Sequence, residues 1–175
     1  MTSTQGFIVL RQVVSQALVQ ALGNELGVVI LESKPTVCRE KYKEYQVPPL
    51  GYSVRDEFSK NTDGNRLAPL FYPNPVPRVP SSINVGVFHQ TDADPSKLKT
   101  ANAEEVYVTI AITDLGEHNG WFTFYEGSHS RQPPLGPAIS LNLKEGDAVA
   151  WSGKLVTAAK RRIFIWHHAE VSFPI

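Results

Sequence analysis

The sequence has little of several features that define functional classes. Its 175 residues contain one cysteine, Cys38, and its 17 Lys and Arg residues equal its 17 Asp and Glu residues in number. A chain with no excess of positive charge lacks the electrostatic surface that binds a nucleic-acid backbone. A single cysteine forms no internal disulfide, which favours a reducing compartment, so we expect a cytoplasmic protein.

Long apolar segments are also missing. The uncharged apolar runs are only a handful of residues long, far short of the roughly 20 residues that span a membrane. Residues 1–6 show no basic segment followed by an apolar one, the pattern of a secretory signal. With 42% hydrophobic and 19% charged residues, the composition is that of a globular protein with one core. We therefore predict a single domain over residues 1–175, with no nucleic-acid or membrane partner.

The N-terminal part predicts a strand followed by a helix. Residues 6–14 open with a β-branched run that is typical of a buried strand. Ser15 is expected to cap a helix over residues 15–26, because apolar residues recur there at helical spacing. Gly27 predicts the end of this helix, and residues 28–31 predict a second short strand.

Residues 32–82 contain most of the proline. Five prolines fall within twelve residues, namely Pro69, Pro73, Pro75, Pro77 and Pro80. Because proline removes a backbone donor and disfavours helix in the preceding residue, we predict a loop-dominated segment with one or two helical turns. A connection this long either covers a functional site or wraps the surface. A homodimer, if one forms, would use this segment or a sheet edge.

From residue 83 onward the pattern is that of short strands separated by turns. The clearest example is the segment 105–113, in which Val106, Val108, Ile110 and Ile112 alternate with other residues and predict one buried face. Six or so such strands at regular spacing favour a sandwich or a barrel. We therefore predict a mainly β fold.

His89 begins the local cluster of side chains that is best suited to carry chemistry. It ends a predicted strand, and Asp92 and Asp94 follow it. Imidazole with carboxylate is the ligand chemistry of a mononuclear iron site with open positions. An acidic turn after a strand is the alternative interpretation. The sequence shows no serine nucleophile elbow, phosphate-binding glycine loop or Cys/His zinc spacing.

Four segments, in order, resemble the phytanoyl-CoA dioxygenase family of iron(II)/2-oxoglutarate oxygenases. They are GFIVLRQVVS (6–15) with the helix after it, FHQ (88–90), VTIAITDLGEHNG (108–120) with YEGSH (125–129), and GDAVAWSGKLV (146–156). The resemblance spans nearly the whole chain. It implies a double-stranded β-helix barrel (jelly-roll, cupin-like) with an N-terminal helix, and iron(II) and 2-oxoglutarate as cofactors.

The resemblance also implies a metal site with departures from the family pattern. His89 stands where the first iron ligand belongs. The aspartate is expected at position 91, where this chain has Thr91, and Asp92 follows one residue late. The distal histidine is expected at position 157, where this chain has Thr157. A hydroxyl is a poor replacement for an imidazole on iron(II).

Two further groups complete the predicted site. Arg162 or Arg161 lies near the place of the arginine that pairs with 2-oxoglutarate in the family. If Arg162 faces the interior, strand alternation brings His168 to the same face. His89, Asp92 and His168 are therefore the candidate catalytic residues, with His89 and Asp92 as the candidate metal ligands.

Three functions remain open at this point. The first is an oxygenase with an altered iron/2-oxoglutarate site, acting on a small organic substrate. The second is a metal-free relative whose pocket binds a small molecule or catalyses isomerisation or cyclisation with His89, Asp92 and His168 as acid–base groups. Its cavity would be lined by aromatic residues, among them Tyr107, Trp121, Tyr125, Trp151, Phe164 and Trp166. The third is a structural or interaction domain, which the short length and the changed ligand positions favour.

Overall fold

The structure is a computed structural model that describes residues 5–39, 42–76, 82–89, 100–116, 122–130, 135–159 and 165–174. In these parts of the chain, three helices and ten strands form. The helices are α1 (Gln16–Glu32), α2 (Pro49–Asn61) and α3 (Gly64–Phe71). The strands are β1 (Phe7–Leu10), β2 (Val37–Arg39), β3 (Tyr42–Tyr45), β4 (Ser82–His89), β5 (Glu105–Ala111), β6 (Phe122–Tyr125), β7 (Ala138–Ser140), β8 (Ala148–Ser152), β9 (Thr157–Ala159) and β10 (Ile165–Pro174).

The strands form two antiparallel sheets. The seven-stranded sheet has the order β1-β8-β5-β10-β4-β3-β2, and the three-stranded sheet has the order β7-β6-β9. The short strands predicted after residue 83 are therefore confirmed, and the structure adds that they pair antiparallel. The fold is mixed rather than mainly β, because helices of 17, 13 and 8 residues pack beside the sheets. Among the described residues, no helix combines the length and apolar character needed to cross a bilayer.

One face of the seven-stranded sheet packs against the helices. The predicted alternation in β5 is confirmed, since Val106, Val108, Ile110 and Ile112 are all buried in one core cluster. The same cluster contains Val19, Leu22 and Leu26 of α1, Val54 and Phe58 of α2, and Leu67 and Phe71 of α3. We call this side of the sheet the helix face.

Helix α1 is longer than the sequence pattern predicts. It runs through Gly27 to Glu32, so the predicted end at Gly27 and the predicted strand over 28–31 are wrong. The reason is packing, because Leu26 is buried in the core and Ile30 packs against it. Burial of an apolar face outweighs the low helix propensity of one glycine.

Ser15 lies directly before α1, as predicted, but its hydrogen bonds are not the predicted ones. Its hydroxyl does not cap the helix. Instead, Ser15 donates through its backbone N–H to Glu57 Oε1 at 2.8 Å and through Oγ to Glu57 Oε2 at 3.2 Å. A carboxylate of α2 therefore fixes the start of α1, a long-range contact that spacing within the sequence does not reveal.

The prediction of a loop-dominated segment over 32–82 is wrong for the part that forms α2 and α3. Helix α2 begins with Pro49, and proline is tolerated in the first turn because its missing N–H would have no helical partner there. Val54 and Phe58, spaced i and i+4, are buried, as are Leu67 and Phe71 in α3. This apolar spacing outweighs the internal Pro69.

Asp147 connects β1 and α1 to the start of β8. Its buried carboxylate accepts from Arg11 Nη1 at 2.6 Å, from Gln12 N at 2.9 Å and from Lys144 N at 3.0 Å. Burial tends to raise the pKa of this carboxyl, but these hydrogen bonds and the Arg11 charge outweigh it, so the pKa of Asp147 is lowered. The ionised form is therefore the one that stabilises the fold.

The substitution Asp147→Asn should make the free energy of unfolding less dependent on pH in the acid range. A lowered folded-state pKa gives stabilisation that is fully present above the unfolded-state pKa of about 3.9 and is lost as the pH falls through the folded-state value. We expect the variant to be less stable than wild type by about 1–3 kcal/mol at pH 7, with the gap narrowing as the pH falls below about 5. Urea unfolding at several pH values measures this gap.

Asp56→Asn is the matched control for that experiment. The Asp56 side chain is 66% exposed and pairs with Arg55 at the surface, so its removal should change stability by less than about 0.5 kcal/mol. A gap between Asp147→Asn and wild type that stays constant from pH 7 to pH 3 would show that the charge of Asp147 is not the cause.

Candidate functional site

The face of the seven-stranded sheet opposite the helices packs on the three-stranded sheet. We call it the inner face. The ring of Phe124, on β6, lies 5.6 Å from the ring of Phe7 and 6.0 Å from that of Trp151, measured between centroids. All three belong to a second core cluster, separate from the helix-face cluster. The space between the sheets is therefore closed at this end by aromatic packing.

An aromatic pair with a buried hydroxyl forms the middle of the inner face. Tyr107 on β5 and Trp151 on β8 are cross-strand partners, and their rings are stacked with centroids 4.9 Å apart and an interplanar angle of 25°. Trp151 Nε1 donates to Thr109 Oγ1 at 3.2 Å in a buried hydrogen bond. This bond fixes the indole and satisfies its donor.

The inner face becomes polar on the other side of β5. In the ladder between β5 and β10, Ala111 pairs with His168, Thr109 with Glu170 and Tyr107 with Ser172. On the far side of β10, the same three positions pair with Gly86, Asn84 and Ser82 of β4. Cross-strand partners share a face, so the register continues the inner face of β5 into these polar positions.

Thr157, at the expected place of the distal ligand, is held firmly in the three-stranded sheet. It begins β9 and pairs with Phe124. The preceding residue, Val156, donates its N–H to Ser128 Oγ at 2.8 Å and accepts at its carbonyl from Tyr125 N at 3.0 Å. Thr157 is only 8% exposed. A buried position of the three-stranded sheet therefore carries a hydroxyl and not an imidazole.

The predicted site residues are only partly within the described chain. His89 ends β4 and pairs with Ile165, while His168 pairs with Gly86. Position 89 is three residues beyond Gly86, and an odd number of steps along a regular strand leads to the opposite face. The register therefore does not bring positions 89 and 168 to one face. Asp92, Arg161 and Arg162 lie outside the described residues, and their roles stay predictions.

The described residues do not fit the three-ligand iron centre of the resembled family. Thr157 offers no imidazole nitrogen, and within the described residues no three His, Cys, Asp or Glu side chains lie together as a metal site. Iron(II) centres with open positions are built from imidazole and carboxylate ligands. Within the described residues, the iron-ligand set of the resembled family is therefore incomplete.

Three polar residues on the inner-face positions were missed from the sequence. They are Glu44, which pairs with Gly86, and Asn84 and Glu170, which pair with each other. A signal for Glu170 was present, since His168, Glu170 and Ser172 alternate with the apolar Ala169, Val171 and Phe173. No local signal marked Glu44, because its place depends on the pairing of β3 with β4.

Comparison with solved structures defines a class of fold. No family model matches the chain, and no curated protein matches it. Many solved structures do match, and those reported below align over at least 98% of its length. Those whose function is named are non-haem enzymes dependent on α-ketoglutarate, which is 2-oxoglutarate, or proteins solved with 2-oxoglutarate bound.

Three structures illustrate the likeness. The non-haem epimerase SnoN from nogalamycin biosynthesis is 12% identical, with a TM-score of 0.69 over 98% of this chain and 77% of its own. AviO1 from Streptomyces viridochromogenes Tue57 is 17% identical, with a TM-score of 0.69 over 99% of this chain and 91% of its own. HygX from Streptomyces hygroscopicus, solved with nickel, 2-oxoglutarate and hygromycin B, is 15% identical, with a TM-score of 0.65 over 98% of this chain and 83% of its own. At these identities the likeness establishes a shared fold.

Proposed function

We propose that this protein is an enzyme of the iron/2-oxoglutarate oxygenase type with an altered metal site, acting on a small organic molecule held between its two sheets. The observation that carries the proposal is the fold shared over 98% of the chain with SnoN, at a TM-score of 0.69. SnoN is described as an epimerase from nogalamycin biosynthesis, and HygX was solved with nickel, 2-oxoglutarate and hygromycin B bound. The order of the four sequence motifs supports a phytanoyl-CoA dioxygenase-like origin within this group.

The inner face supports a binding role for residues of this chain. A stacked pair such as Tyr107 and Trp151 offers a flat apolar wall, and the sheet continues beside it into positions occupied by polar residues in β10 and β4. Pockets for small molecules combine these two kinds of lining. We infer that the two sheets form the walls of a double-stranded β-helix whose mouth receives the substrate. Cys38, exposed and without a disulfide partner, supports a reducing, cytoplasmic location.

The succinate assay tests the oxygenase function directly. Protein freed of metal is supplied with iron(II), 2-oxoglutarate and oxygen, and succinate is measured with and without iron. We expect slow, iron-dependent succinate formation without any added substrate. Equal succinate with and without iron would overturn the oxygenase proposal.

A metal-free pocket protein is the second candidate. The observation that favours it is the buried Thr157 at the distal ligand position, because loss of one ligand greatly weakens a metal centre. Such a protein would form no succinate from 2-oxoglutarate but would still bind an organic ligand beside Trp151. A ligand found by thermal-shift screening, with binding weakened in Trp151→Phe and Thr109→Val, would favour this candidate over the oxygenase.

A further inference from the structure

The outward side of helix α1 carries no charged residue. Its exposed positions recur every three or four residues and so share one side of the helix; they are Ala17, Gln20, Asn24, Val28 and Leu31. We call these five positions the outer stripe. Between Gln16 and Leu31 the one charged residue is Glu25, whose carboxylate accepts from Leu50 N at 3.3 Å where α1 meets α2. A surface helix ordinarily presents charged residues on its exposed face, so the outer stripe is unusual for a face in contact with water.

The C-terminal half of the outer stripe is apolar and uncovered. Leu31 is 86% exposed, and Val28, one turn before it, is 52% exposed. Beside Val28, no atom of the described residues lies within 4 Å of the place that a Cβ would take at Gly27. Neighbouring exposed apolar side chains with no charge between them are typical of a surface that binds another protein.

The outer stripe is complementary to itself when two copies of α1 run antiparallel with Asn24 at the twofold axis. Ala17 and Leu31 lie seven positions on either side of Asn24, so the small side chain of each copy faces the large one of the other. Gln20 and Val28, four positions on either side, face each other in the same way. Asn24 meets its own copy, and because an amide both donates and accepts, the two amides can bond to each other. A paired asparagine is a known means of fixing the register of two helices.

The charges at the two ends of the outer stripe favour the same antiparallel arrangement. At the N-terminal end, Glu145 Oε2 accepts from Gln20 Nε2 at 2.9 Å and from Gln16 Nε2 at 3.2 Å. At the C-terminal end, Lys34 is exposed two residues after the last residue of α1. Antiparallel pairing brings Lys34 of each copy towards Glu145 of the other, whereas parallel pairing would bring like charges together.

We propose that the outer stripe of α1 binds a second copy of this chain and forms an antiparallel helix pair with its twofold axis at Asn24. A helix of 17 residues is about 25 Å long. One such pair buries an area at the low end of specific interfaces, so the expected dissociation constant is about 10–100 μM. At the lower protein concentrations used for unfolding, the chain is therefore mainly monomeric. The dimer does not depend on the proposed enzymatic function, because α1 packs on the helix face and not on the inner face.

Opposite charges at position 24 test both the dimer and its register. In sedimentation velocity from about 5 to about 300 μM, the average mass of wild type should rise from that of one chain, 19.4 kDa, towards twice that value. Asn24→Asp and Asn24→Lys each bring like charges together at the axis and should weaken association at least tenfold. An equimolar mixture of the two variants should associate at least as tightly as wild type, because unlike charges then meet.

Exchange of two facing side chains gives a second measurement, which decides if an Asn24 variant does not fold. Leu31→Ala leaves a gap opposite Ala17 and should weaken association at least threefold. The double variant Ala17→Leu/Leu31→Ala moves the large side chain to the other member of the same facing pair and should restore association to within twofold of wild type.

Asn74→Asp and Asn74→Lys are the matched controls, since Asn74 is an exposed asparagine after α3. Both should leave the dissociation constant within twofold of wild type, and circular dichroism selects the variants that fold. Weakening in both Asn24 variants with recovery in their mixture supports the proposal. A wild type that stays monomeric to about 300 μM overturns it, as does a dimer that both Asn24 variants leave intact, which would assign association to another surface. Weakening without recovery in the mixture overturns the antiparallel arrangement. The protein is measured without iron, 2-oxoglutarate or substrate, so the succinate assay still decides the proposed function separately.

Discussion

Gly146→Ala should lower the free energy of unfolding by about 3 kcal/mol, the cost of a strained backbone combined with a steric clash. Gly146 has a φ of +84°, a conformation that L-residues with a side chain rarely adopt. A Cβ atom there would overlap the carbonyl oxygen of Val14. The carbonyl of Gly146 also accepts from Val13 N at 3.0 Å and Val14 N at 3.1 Å, so the turn has no freedom to move away.

Gly27→Ala is the matched control and should have the opposite sign. Gly27 lies inside α1, and nothing lies within 4 Å of the place that its Cβ would take. Alanine in a helix interior is favoured over glycine by roughly 0.5–1 kcal/mol. Urea unfolding of the two variants at pH 7 measures both effects. A free energy of unfolding for Gly146→Ala within about 0.5 kcal/mol of the wild-type value would contradict the close approach between this turn and Val14.

Phe124→Ala should destabilise the protein by about 4 kcal/mol, within the range for deleting a buried phenylalanine. Phe124 is fully buried and contacts both Phe7 and Trp151 from the opposite sheet. Removing its ring leaves a cavity between the two sheets that the neighbouring strands fill only in part. Because Phe124 pairs with Thr157, the change also loosens the strand that borders the candidate pocket.

Leu31→Ala provides the comparison for a hydrophobic residue outside the core. Leu31 is 86% exposed on α1, and its truncation should change the free energy of unfolding by less than about 0.5 kcal/mol. Denaturant unfolding followed by far-ultraviolet circular dichroism measures both variants. A loss of less than 1 kcal/mol in Phe124→Ala would show that the two sheets do not pack through this ring.

The strand pattern of β5 was predictable because its information is local. Val106, Val108 and Ile110 alternate with residues of the inner face, and this period alone identifies a strand with one core side. Helix α1 shows the limit of local reasoning. Gly27 is a sound stop signal by propensity, yet burial of Leu26 and the packing of Ile30 continue the helix past it.

The candidate site was predictable only in part, since it depends on which strands are neighbours. Strand alternation in the sequence identified His168 as a candidate. Glu44 and Asn84 lie on neighbouring positions only because β3, β4 and β10 are adjacent in the sheet. Glu44 and Gly86 are 42 positions apart in the chain and Gly86 and His168 are 82 positions apart, and pairings over such separations leave no local trace in the sequence. The departure at Thr157 from the resembled family pattern stays a prediction, and the structure adds that this residue is buried and pairs with Phe124.

The division of each large-sheet strand between a helix face and an inner face has a consequence for how such a protein evolves. Alternate residues of β5 and β8 belong to two separate core clusters. A substitution on one face therefore acts first on the cluster that this face packs into, while the cluster on the other side of the sheet has its own contacts. Such a division is a physical reason why a fold can be shared at 12–17% sequence identity.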